Sequence, residues 1–378
     1  MNEGVKFRVG ISGSYGGLNL GDEAILQGIV EQLRLSLPVE ITVFSRNADD
    51  TRARHSVERA VPVRDLTRAE VLPEIERLDL LILGGGGILF DAEAKIYLRE
   101  VLLAHELGVP VMTYAISVGP LHAVAVQRAV KNGLSQAAVI TVRDRAAGRV
   151  LEEIGVHNKV VVTADPAFLL PPQPMPRALL QREGVNLTHT LVGMSVREPG
   201  SAAPDIDQEV YHRLLANVAD FMVDRYGADI LFIPMEPRQR DLQHCHAVAS
   251  KMLKASRASV LKGEYSAGEL LGLVGHLAFA VGMRLHFLIF AALQGVPFVA
   301  LPYASKVSGL LESLDLLTPP LNLINEGRLI AHVDHSWDHR RALRARIQSA
   351  VPRLQDLARE TNRYAVELLQ SRPKRNRA

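Results

Sequence analysis

The segment Leu78-Asp79-Leu80-Leu81-Ile82-Leu83-Gly84-Gly85-Gly86-Gly87 decides the fold class of this chain. Its continuous apolar run is typical of a strand that is buried on both faces, as strands of parallel sheets are. Four glycines follow at the carboxyl end of that strand, where ligands of open α/β sheets bind. The segment therefore predicts an inner strand of a parallel sheet with a glycine-rich loop at its end.

The same alternation of short apolar runs and longer amphipathic segments continues on both sides of this strand. In the first half, helices are predicted at Glu23–Leu35 and Glu93–Leu107 because apolar residues recur on one helical face. Alternating strands and helices favour a parallel sheet with helices on both faces. The strands predicted with Leu78–Leu83 in this half are Phe7–Ile11, Ile41–Phe44, Val109–Ile116 and Ala138–Val142.

The alternation stops at a proline-rich stretch and then restarts. Residues 171–176 contain Pro171, Pro172, Pro174 and Pro176, and neither a helix nor a central strand continues through such a stretch. Beyond it we expect helices at Tyr211–Tyr226, at Asp241–Leu253, from Leu285 onward and at Asp338–Leu369. The predicted strands are Leu191–Val196, Ile230–Pro234, Ser259–Lys262, Leu277–Val281 and Phe298–Leu301.

These patterns predict an α/β fold of two Rossmann-like domains facing a cleft, as in GT-B enzymes. We expect an N-terminal domain at residues 1–170, a linker at 171–176, a C-terminal domain at 177–355, and a C-terminal helix with a basic tail at 356–378. A length of 378 residues suits two domains. The cleft between the domains is the expected ligand site.

Composition and charge exclude several classes of protein. The chain is 48% hydrophobic and 22% charged, which is globular composition. Its net charge is +2, and Arg372, Lys374, Arg375 and Arg377 in the tail outweigh a slightly acidic body. A nearly neutral body argues against a nucleic-acid partner. Cys245 is the single cysteine, so an intrachain disulfide and a cysteine-rich zinc site are both excluded.

The sequence contains no segment that resembles a signal peptide or a membrane span. The longest apolar run, Phe287 to Tyr303, is interrupted by Gln294, Gly295 and Pro297, whereas a span needs about 20 apolar residues. We therefore predict a cytoplasmic protein. The basic tail is expected to be solvated, and the alternative is a peripheral contact with the inner face of an anionic membrane.

A glycine-rich loop between the first strand and the first helix supplies three candidate residues. It reads Gly13-Ser14-Tyr15-Gly16-Gly17-Leu18-Asn19-Leu20-Gly21-Asp22-Glu23. Its four glycines permit close approach of a ligand. We take Asn19, Asp22 and Glu23 as substrate-binding candidates. The alternative is that Asp22 only caps the helix and Glu23 only complements its dipole.

The glycine tetrad supplies a second set of candidates. Gly85, Gly86 and the nearby Asp91 are predicted to bind substrate, because four successive glycines suggest close approach to the backbone. The alternative is tight packing of the chain against a neighbouring strand. The tetrad lacks the G-x-G-x-x-G pattern of dinucleotide-binding loops.

Cationic residues at predicted strand ends indicate an anionic substrate. Arg284 and His286 lie in the segment Val281-Gly282-Met283-Arg284-Leu285-His286-Phe287, between a strand and a helix. A guanidinium there can bind phosphate or carboxylate, and the histidine can transfer a proton near neutral pH. Arg197 and Lys306 follow two further strands of the second half. Ordinary surface charge is the alternative for these two, and no metal-ligand cluster is evident.

These motifs, in this order, resemble the polysaccharide pyruvyl transferase family. The resemblance covers roughly residues 7 to 315. The matching stretches are Asn19-Leu20-Gly21-Asp22-Glu23-Ala24-Ile25-Leu26, Gly84–Gly87 with Asp91, Val142-Arg143-Asp144, Asp165-Pro166, Arg284 with His286, and Gly295-Val296-Pro297 with Lys306.

The resemblance implies transfer of the enolpyruvyl group of phosphoenolpyruvate to a sugar, as a pyruvate ketal, with release of phosphate. The implied donor contacts are Arg284, Leu285, His286 and Arg197. The implied acceptor is a polysaccharide or its lipid-linked precursor, with the N-terminal domain on the acceptor side and the C-terminal domain on the donor side. No cofactor is implied. The loop Pro234–Asp241 varies in the family and leaves the acceptor open.

Two other functions fit the same residues. A glycosyltransferase of the same fold would use the cationic residues on the diphosphate of a nucleotide sugar. A non-catalytic sugar- or anion-binding protein would retain the fold without turnover. In the predicted pyruvyl transfer, His286 and Arg284 are catalytic, and Asp22, Glu23 or Asp91 orients or deprotonates the sugar hydroxyl. The sequence leaves the oligomeric state open.

Overall fold

The computed structural model describes residues 6–198, 207–236, 240–302, 304–316 and 325–371. The chain divides into two units. The first consists of Met1–Gly17, Asp22–Leu170 and Leu354–Ala378, and the second of Leu18–Gly21 and Pro171–Arg353. The predicted basic tail, from Arg372 onward, lies outside the described residues.

The first unit contains a parallel sheet in the order β3-β2-β1-β4-β6-β7-β8, with β5 paired to β6. All neighbouring strands are parallel. From β1 the chain adds strands toward one edge of the sheet, and from β4 it adds them toward the other edge, as in doubly wound folds. The strands are β1 (Phe7–Ser12), β2 (Val39–Ser45), β3 (Arg59–Pro62), β4 (Leu80–Leu83), β5 (Gly86–Leu89), β6 (Val111–Val118), β7 (Val139–Val142) and β8 (Val160–Val162).

The second unit contains a parallel sheet in the order β11-β10-β9-β12-β13. Its strands are β9 (Leu191–Ser195), β10 (Asp229–Phe232), β11 (Ala258–Val260), β12 (Phe279–Gly282) and β13 (Phe298–Ala300). The reversal here falls between β9 and β12. The predicted α/β class with two Rossmann-like domains is confirmed.

Helices follow most of the strands and cover the sheets. In the first half they are α1 (Leu20–Ser36), α2 (Ala48–Arg54), α3 (Arg68–Glu76), α4 (Ala94–Glu106), α5 (Val124–Leu134) and α6 (Arg145–Glu153). In the second half they are α7 (Arg177–Arg182), α8 (Gln208–Tyr226), α9 (Arg240–Ala249), α10 (Ala267–Val274), α11 (Leu285–Leu293), α12 (Ser305–Ser313), α13 (Glu326–Asp338) and α14 (Arg340–Ser371). Short 3₁₀ turns lie at Pro166–Leu169 and Ala255–Arg257.

The strand that decided the fold class is the centre of the first core. All four residues of β4 are fully buried, and Leu81 and Leu83 belong to an apolar cluster with side chains of α3, α4 and β6. A fully buried leucine or isoleucine stabilises the folded state by about 1.5–3 kcal/mol. Burial on both faces explains why this strand reads as an uninterrupted apolar run.

The observed units differ from the predicted domains in three places. Leu18–Gly21 joins the second unit, because the Leu20 N–H donates to the Met235 carbonyl oxygen over 2.9 Å. The predicted linker also belongs to the second unit, where the Gln173 N–H donates to the Gly268 carbonyl oxygen. The chain from Leu354 onward groups with the first unit instead of forming a separate C-terminal piece.

Candidate active site

The candidate donor residues lie where the strand order of the second sheet reverses. Arg197 follows β9 by two residues, and Arg284 follows β12 by two residues. The two strand ends are joined, because the Met283 N–H donates to the Ser195 carbonyl oxygen over 3.0 Å. Ligands of doubly wound sheets bind at this point of the sheet. The fold thus brings two predicted cationic residues to the expected edge.

Arg284 is held by two carboxylates. It precedes the first residue of α11, and its side chain is 12% exposed. Its Nε donates to Asp241 Oδ2 over 2.7 Å, and its Nη2 donates to Asp241 Oδ1 over 2.5 Å. The same Nη2 also donates to Glu236 Oε2 over 2.7 Å. The guanidinium is therefore oriented by a bidentate pair and a second acidic contact.

Asp241 is the most buried acidic residue of this cluster. It lies in the first turn of α9, and its side chain is 2% exposed. Burial raises the pKa of its carboxyl above the ordinary value, although Arg284 and Arg197 both favour the ionised form. Glu236 adds to the upward pKa shift by like-charge repulsion. We name Arg197, Arg284, Glu236 and Asp241 the charge cluster.

The sequence analysis did not identify Glu236 and Asp241 as site residues. Glu236 follows β10 by four residues, and Asp241 lies in the first turn of α9. An acidic residue at the carboxyl end of a strand beside the reversal point was the available signal. It was insufficient because the partner, Arg284, is 43 residues from Asp241 along the chain.

His286 packs against the backbone of the glycine-rich loop. A methyl group placed on Gly21 would lie 1.9 Å from His286 Nδ1, so only glycine fits under the ring. The loop is folded locally, because the Gly21 N–H donates to Asn19 Oδ1 over 3.0 Å. Asn19, predicted on the acceptor side, therefore lies in the second unit, on the same short segment as Gly21.

Leu285 and Lys306 occupy different environments. Leu285, the first residue of α11, is buried, so a ligand contact there would use its backbone N–H at the helix N-terminus. Lys306 is half-buried in the first turn of α12, which follows β13. Because β13 pairs with β12, Lys306 and Arg284 follow neighbouring strands. Their predicted contacts with the substrate stay predictions.

In the first unit, Glu23 has a structural role. Its side chain is buried, and it accepts hydrogen bonds from the Gly16 N–H over 3.0 Å and from His55 Nε2 over 2.7 Å. These contacts hold the glycine-rich loop against the segment after α2. The structure gives no support to a substrate contact through this side chain, because its polar atoms are enclosed by the protein.

Asp91 is also explained by local structure. Its two carboxylate oxygens accept hydrogen bonds from the His122 and Ala123 N–H groups, over 2.8 and 3.1 Å. These two hydrogen bonds lower the pKa of Asp91, and the one from the His122 N–H has the larger effect. A lowered pKa makes the carboxylate a weaker base near neutral pH. Its predicted contact with the substrate stays a prediction.

The four glycines after β4 have separate functions. A methyl group on Gly84 would lie 2.0 Å from the Tyr15 hydroxyl, and one on Gly85 would lie 2.9 Å from Ile25 Cγ2. Gly86 has a φ of +98°, which disfavours other residues, and Gly87 is exposed at the start of β5. The packing alternative thus accounts for Gly84 and Gly85.

The exposed edge of the tetrad has charged neighbours. A methyl group built on Gly86 would lie 3.5 Å from Asp22 Oδ1, and one built on Gly87 would lie 3.7 Å from Arg143 Nη2. Arg143 is in turn paired with Asp165, its Nη1 donating to Asp165 Oδ2 over 2.8 Å. Asp22 is half-buried. Asp22 and the buried Gly86 are therefore predicted first-unit residues that the structure brings close together.

Two kinds of feature are absent from the part of the chain that the structure describes. Among them, no group of three or more histidine, cysteine, aspartate or glutamate side chains is arranged to hold a metal ion. No helix within the same ranges is long and apolar enough to cross a membrane.

Comparison with known proteins identifies the family. The family model described as Polysaccharide pyruvyl transferase matches residues 19–305, which is most of the chain. The chain belongs to the polysaccharide pyruvyl transferase family. The match includes the glycine-rich loop from Asn19, the tetrad and the segment with Arg284 and His286.

This family member is also similar to a curated protein of polysaccharide biosynthesis. It is 22% identical to the amylovoran biosynthesis protein AmsJ of Erwinia amylovora, over 93% of this chain and 97% of that protein. The match to both a family model and AmsJ supports a role in polysaccharide biosynthesis.

Solved structures with the same fold are more distant in sequence. S. aureus MnaA with UDP has a TM-score of 0.68 at 12% identity, covering 97% of this chain and 99% of that one. UDP-GlcNAc 2-epimerase from Neisseria meningitidis, bound to UDP-GlcNAc, has a TM-score of 0.63 at 9% identity, covering 97% and 100%. Anabaena Alr3699/HepE with UDP and glucose has a TM-score of 0.64 at 14% identity, covering 97% and 100%. At these identities the similarity shows the fold alone.

Proposed function

We propose that this chain transfers the enolpyruvyl group of phosphoenolpyruvate to a sugar of a polysaccharide or its lipid-linked precursor, forming a pyruvate ketal. The observation that carries the proposal is the charge cluster beside α11. There Arg284 Nε donates to Asp241 Oδ2 over 2.7 Å, which orients the guanidinium. His286 is the second residue of α11, two residues after Arg284. Membership of the family supports the same reaction class.

The donor would be bound through its two anionic groups. Phosphoenolpyruvate carries a phosphate and a carboxylate, which guanidinium groups bind by paired hydrogen bonds. Arg284 and Arg197 are the proposed partners in the second unit, with Lys306 as a further cation. The N-terminus of α11 adds a favourable field for negative charge.

His286 is the proposed general acid. It would donate a proton to the methylene carbon, C3, which becomes the methyl group while C2 acquires cationic character. A sugar hydroxyl then forms a bond to C2 and loses its proton. The C2–O bond to phosphate breaks and inorganic phosphate leaves. A second hydroxyl of the sugar then bonds to C2 and releases its proton, which restores the protonated form of His286. Asp22 is the proposed base that orients or deprotonates a hydroxyl.

The test is stabilisation of the protein against heat by candidate donors. A ligand that binds only the folded state increases the free energy of unfolding, by about 2.7 kcal/mol at a concentration of 100 times Kd, and so raises the melting temperature. We expect phosphoenolpyruvate to stabilise the wild type. The stabilisation should be lost in the double variant Arg284→Ala/His286→Ala and kept in Arg359→Ala, a control on the exposed face of α14.

A different pattern of stabilisation would contradict the proposal. A rise in melting temperature with a UDP-sugar, without one for phosphoenolpyruvate, would support a glycosyltransferase. Binding of phosphoenolpyruvate that persists in the double variant would place the donor elsewhere in the protein.

A further inference from the structure

The two carboxylates that hold Arg284 differ in how firmly they are attached. We propose that Asp241 is the permanent partner that positions the guanidinium, whereas Glu236 occupies the anion site of Arg284 until the donor displaces it. This inference rests on the proposed function, in which Arg284 binds an anionic group of the donor.

The contacts of Asp241 are those of a fixed partner. Both of its oxygens bind Arg284, one through Nε over 2.7 Å and the other through Nη2 over 2.5 Å. Oδ2 also accepts the Glu236 N–H over 3.2 Å. With a side chain only 2% exposed, Asp241 has no room to exchange its partner for water. Such a bidentate pair sets the plane of the guanidinium.

The contacts of Glu236 are those of a displaceable partner. Its side chain accepts one hydrogen bond from Arg284, at Oε2 from Nη2 over 2.7 Å, and that nitrogen is already shared with Asp241. The Glu236 side chain is 20% exposed, ten times the fraction of Asp241. Of the two carboxylates bound to Arg284, Glu236 is therefore the one that solvent reaches more easily.

The backbone at Met235 and at the Glu236 N–H is held by hydrogen bonds, which the side chain of Glu236 does not share. The Glu236 N–H is bonded to Asp241, and the preceding Met235 carbonyl oxygen accepts the Leu20 N–H over 2.9 Å. Rotation of the glutamate side chain toward solvent would remove one of the two carboxylates bound to Nη2 without breaking either backbone hydrogen bond.

The charge balance explains why the donor and Glu236 exclude each other. Arg284 already contacts two carboxylates, Asp241 and Glu236, and Arg197 pairs with Glu198 over 3.5 Å. Like-charge repulsion from Glu236 raises the pKa of the buried Asp241 carboxyl. An added phosphate or carboxylate would bring a third negative group against Arg284 unless one acidic side chain departs. The more exposed carboxylate, with the single contact, departs at lower cost. Glu236 thus competes with phosphoenolpyruvate for one guanidinium nitrogen, Arg284 Nη2.

The two carboxylates are predicted to act on anion affinity in opposite directions. Isothermal titration calorimetry would measure the Kd of phosphoenolpyruvate and of inorganic phosphate for the wild type, Glu236→Gln and Asp241→Asn. We expect Glu236→Gln to bind both anions about threefold to tenfold more tightly, up to about 1.4 kcal/mol, with an unchanged melting temperature. Asp241→Asn should bind them at least about tenfold more weakly. The matched control is Glu209→Gln, which removes a glutamate on α8 that accepts a hydrogen bond from Lys251, and it should change neither Kd.

The outcomes separate this inference from the proposed function. Unchanged or weaker binding of both anions by Glu236→Gln would overturn the inference, because a purely structural glutamate gives that result. Tighter binding of phosphate by Glu236→Gln, in a protein that binds no phosphoenolpyruvate, would support the inference and contradict the proposed donor. Absence of phosphate binding in both the wild type and Glu236→Gln would overturn the inference. Because Glu236 is partly exposed, its variant decides the matter even where Asp241→Asn is poorly folded.

Discussion

At the scale of single residues, the close contact between Gly21 and His286 links the family motif Asn19–Glu23 to the proposed general acid. Gly21 has no side chain, and the ring of His286 lies where a methyl group would be. The sequence indicated a ligand as the reason for glycine in this loop. The structure supplies another reason, which is contact with a histidine more than 260 residues away along the chain.

Gly21→Ala is predicted to displace His286 and to lower activity more than stability. The added methyl group would lie 1.9 Å from Nδ1, so the ring must rotate. General acid catalysis contributes about 10²–10⁴-fold, and we expect kcat to fall at least about tenfold. In the matched control Gly17→Ala, the nearest atoms are at 3.7 Å, an ordinary contact, and kcat should be retained. Equal activity in the two variants would contradict the role of Gly21.

Asp91 provides a prediction about pH and stability. Hydrogen bonds from His122 and Ala123 lower the pKa of Asp91 below that of an unfolded aspartate, about 3.9. Between the two pKa values the unfolded chain binds more protons than the folded chain does. The contribution of Asp91 to the free energy of unfolding is therefore complete above about pH 4 and is lost as pH falls through the folded pKa. Asp91→Asn should lower the melting temperature at pH 7, and the difference from wild type should shrink below pH 4. A difference that stays constant down to pH 2.5 would contradict this reading.

Sequence reasoning identified the cationic part of the site but not its acidic part. Arg284 and His286 are conspicuous because polar residues interrupt an apolar region. Asp241 and Glu236 lie in a polar segment, where acidic residues are ordinary, and their importance comes from a partner brought close by the sheet. Glu23 shows the converse, because a helix-start glutamate looked available for a ligand and is enclosed by Gly16 and His55.

At the scale of elements, the buried ion pair at the ends of β7 and β8 should be a strong local stabiliser. The side chains of Arg143 and Asp165 are each 4% exposed. Removing one partner of a buried pair costs about 3–5 kcal/mol, and Asp144 Oδ2, 3.8 Å from Arg143 Nε, would compensate only part of the lost charge. Asp165→Asn should lower the free energy of unfolding in urea by about that amount.

A matched substitution on the surface separates burial from charge. Asp356→Asn removes the partner of Arg359 on α14, where the two side chains are 79% and 52% exposed. Exposed pairs contribute about 0–1 kcal/mol, so this variant should unfold almost as the wild type does. Similar losses in both variants would show that the Arg143–Asp165 pair is not special.

The second half of α14 is predicted to be part of the first folding unit. Thr361 Oγ1 donates to Thr163 Oγ1 over 2.8 Å, and Asn362 Nδ2 donates to Ser36 Oγ over 2.7 Å. Buried positions recur every three or four residues along this segment, at Leu354, Ala358, Thr361, Ala365 and Leu369.

Truncation after Arg353 should therefore destabilise the protein. Two buried leucines alone contribute about 3–6 kcal/mol, and the apolar surface that they cover on the first unit would be exposed to water. Urea unfolding should show a transition at lower denaturant concentration. Truncation after Ser371 removes only residues 372–378 and is the control. Equal stability of the two truncated chains would contradict the assignment of α14 to the first unit.

Element type was predictable where the apolar period was clear. The β4 strand and α11 were expected near their observed positions, whereas β5 was not expected, because Gly86-Gly87-Ile88-Leu89 lacks the composition of a strand. Pairing with β6 makes this segment extended. The predicted helix at Asp338–Leu369 is observed as α14 from Arg340 to Ser371.

At the scale of the whole molecule, the alternation of strands and helices was sufficient to predict two Rossmann-like domains. The order of strands within each sheet and the return of α14 to the first unit were beyond sequence reasoning. A strand or a helix face records that it is buried but does not record against which element. The same limit applies to Leu18–Gly21, whose partners Met235 and His286 belong to the second unit.

The central claim is that phosphoenolpyruvate donates its carbon skeleton to a sugar. The most direct test follows ¹⁴C from labelled phosphoenolpyruvate into saccharides extracted from cells that produce this protein, together with the release of phosphate. The account predicts acid-labile label in the saccharide with one phosphate released per label, and none with His286→Ala. Incorporation of label from a nucleotide sugar, without any from phosphoenolpyruvate, would contradict it.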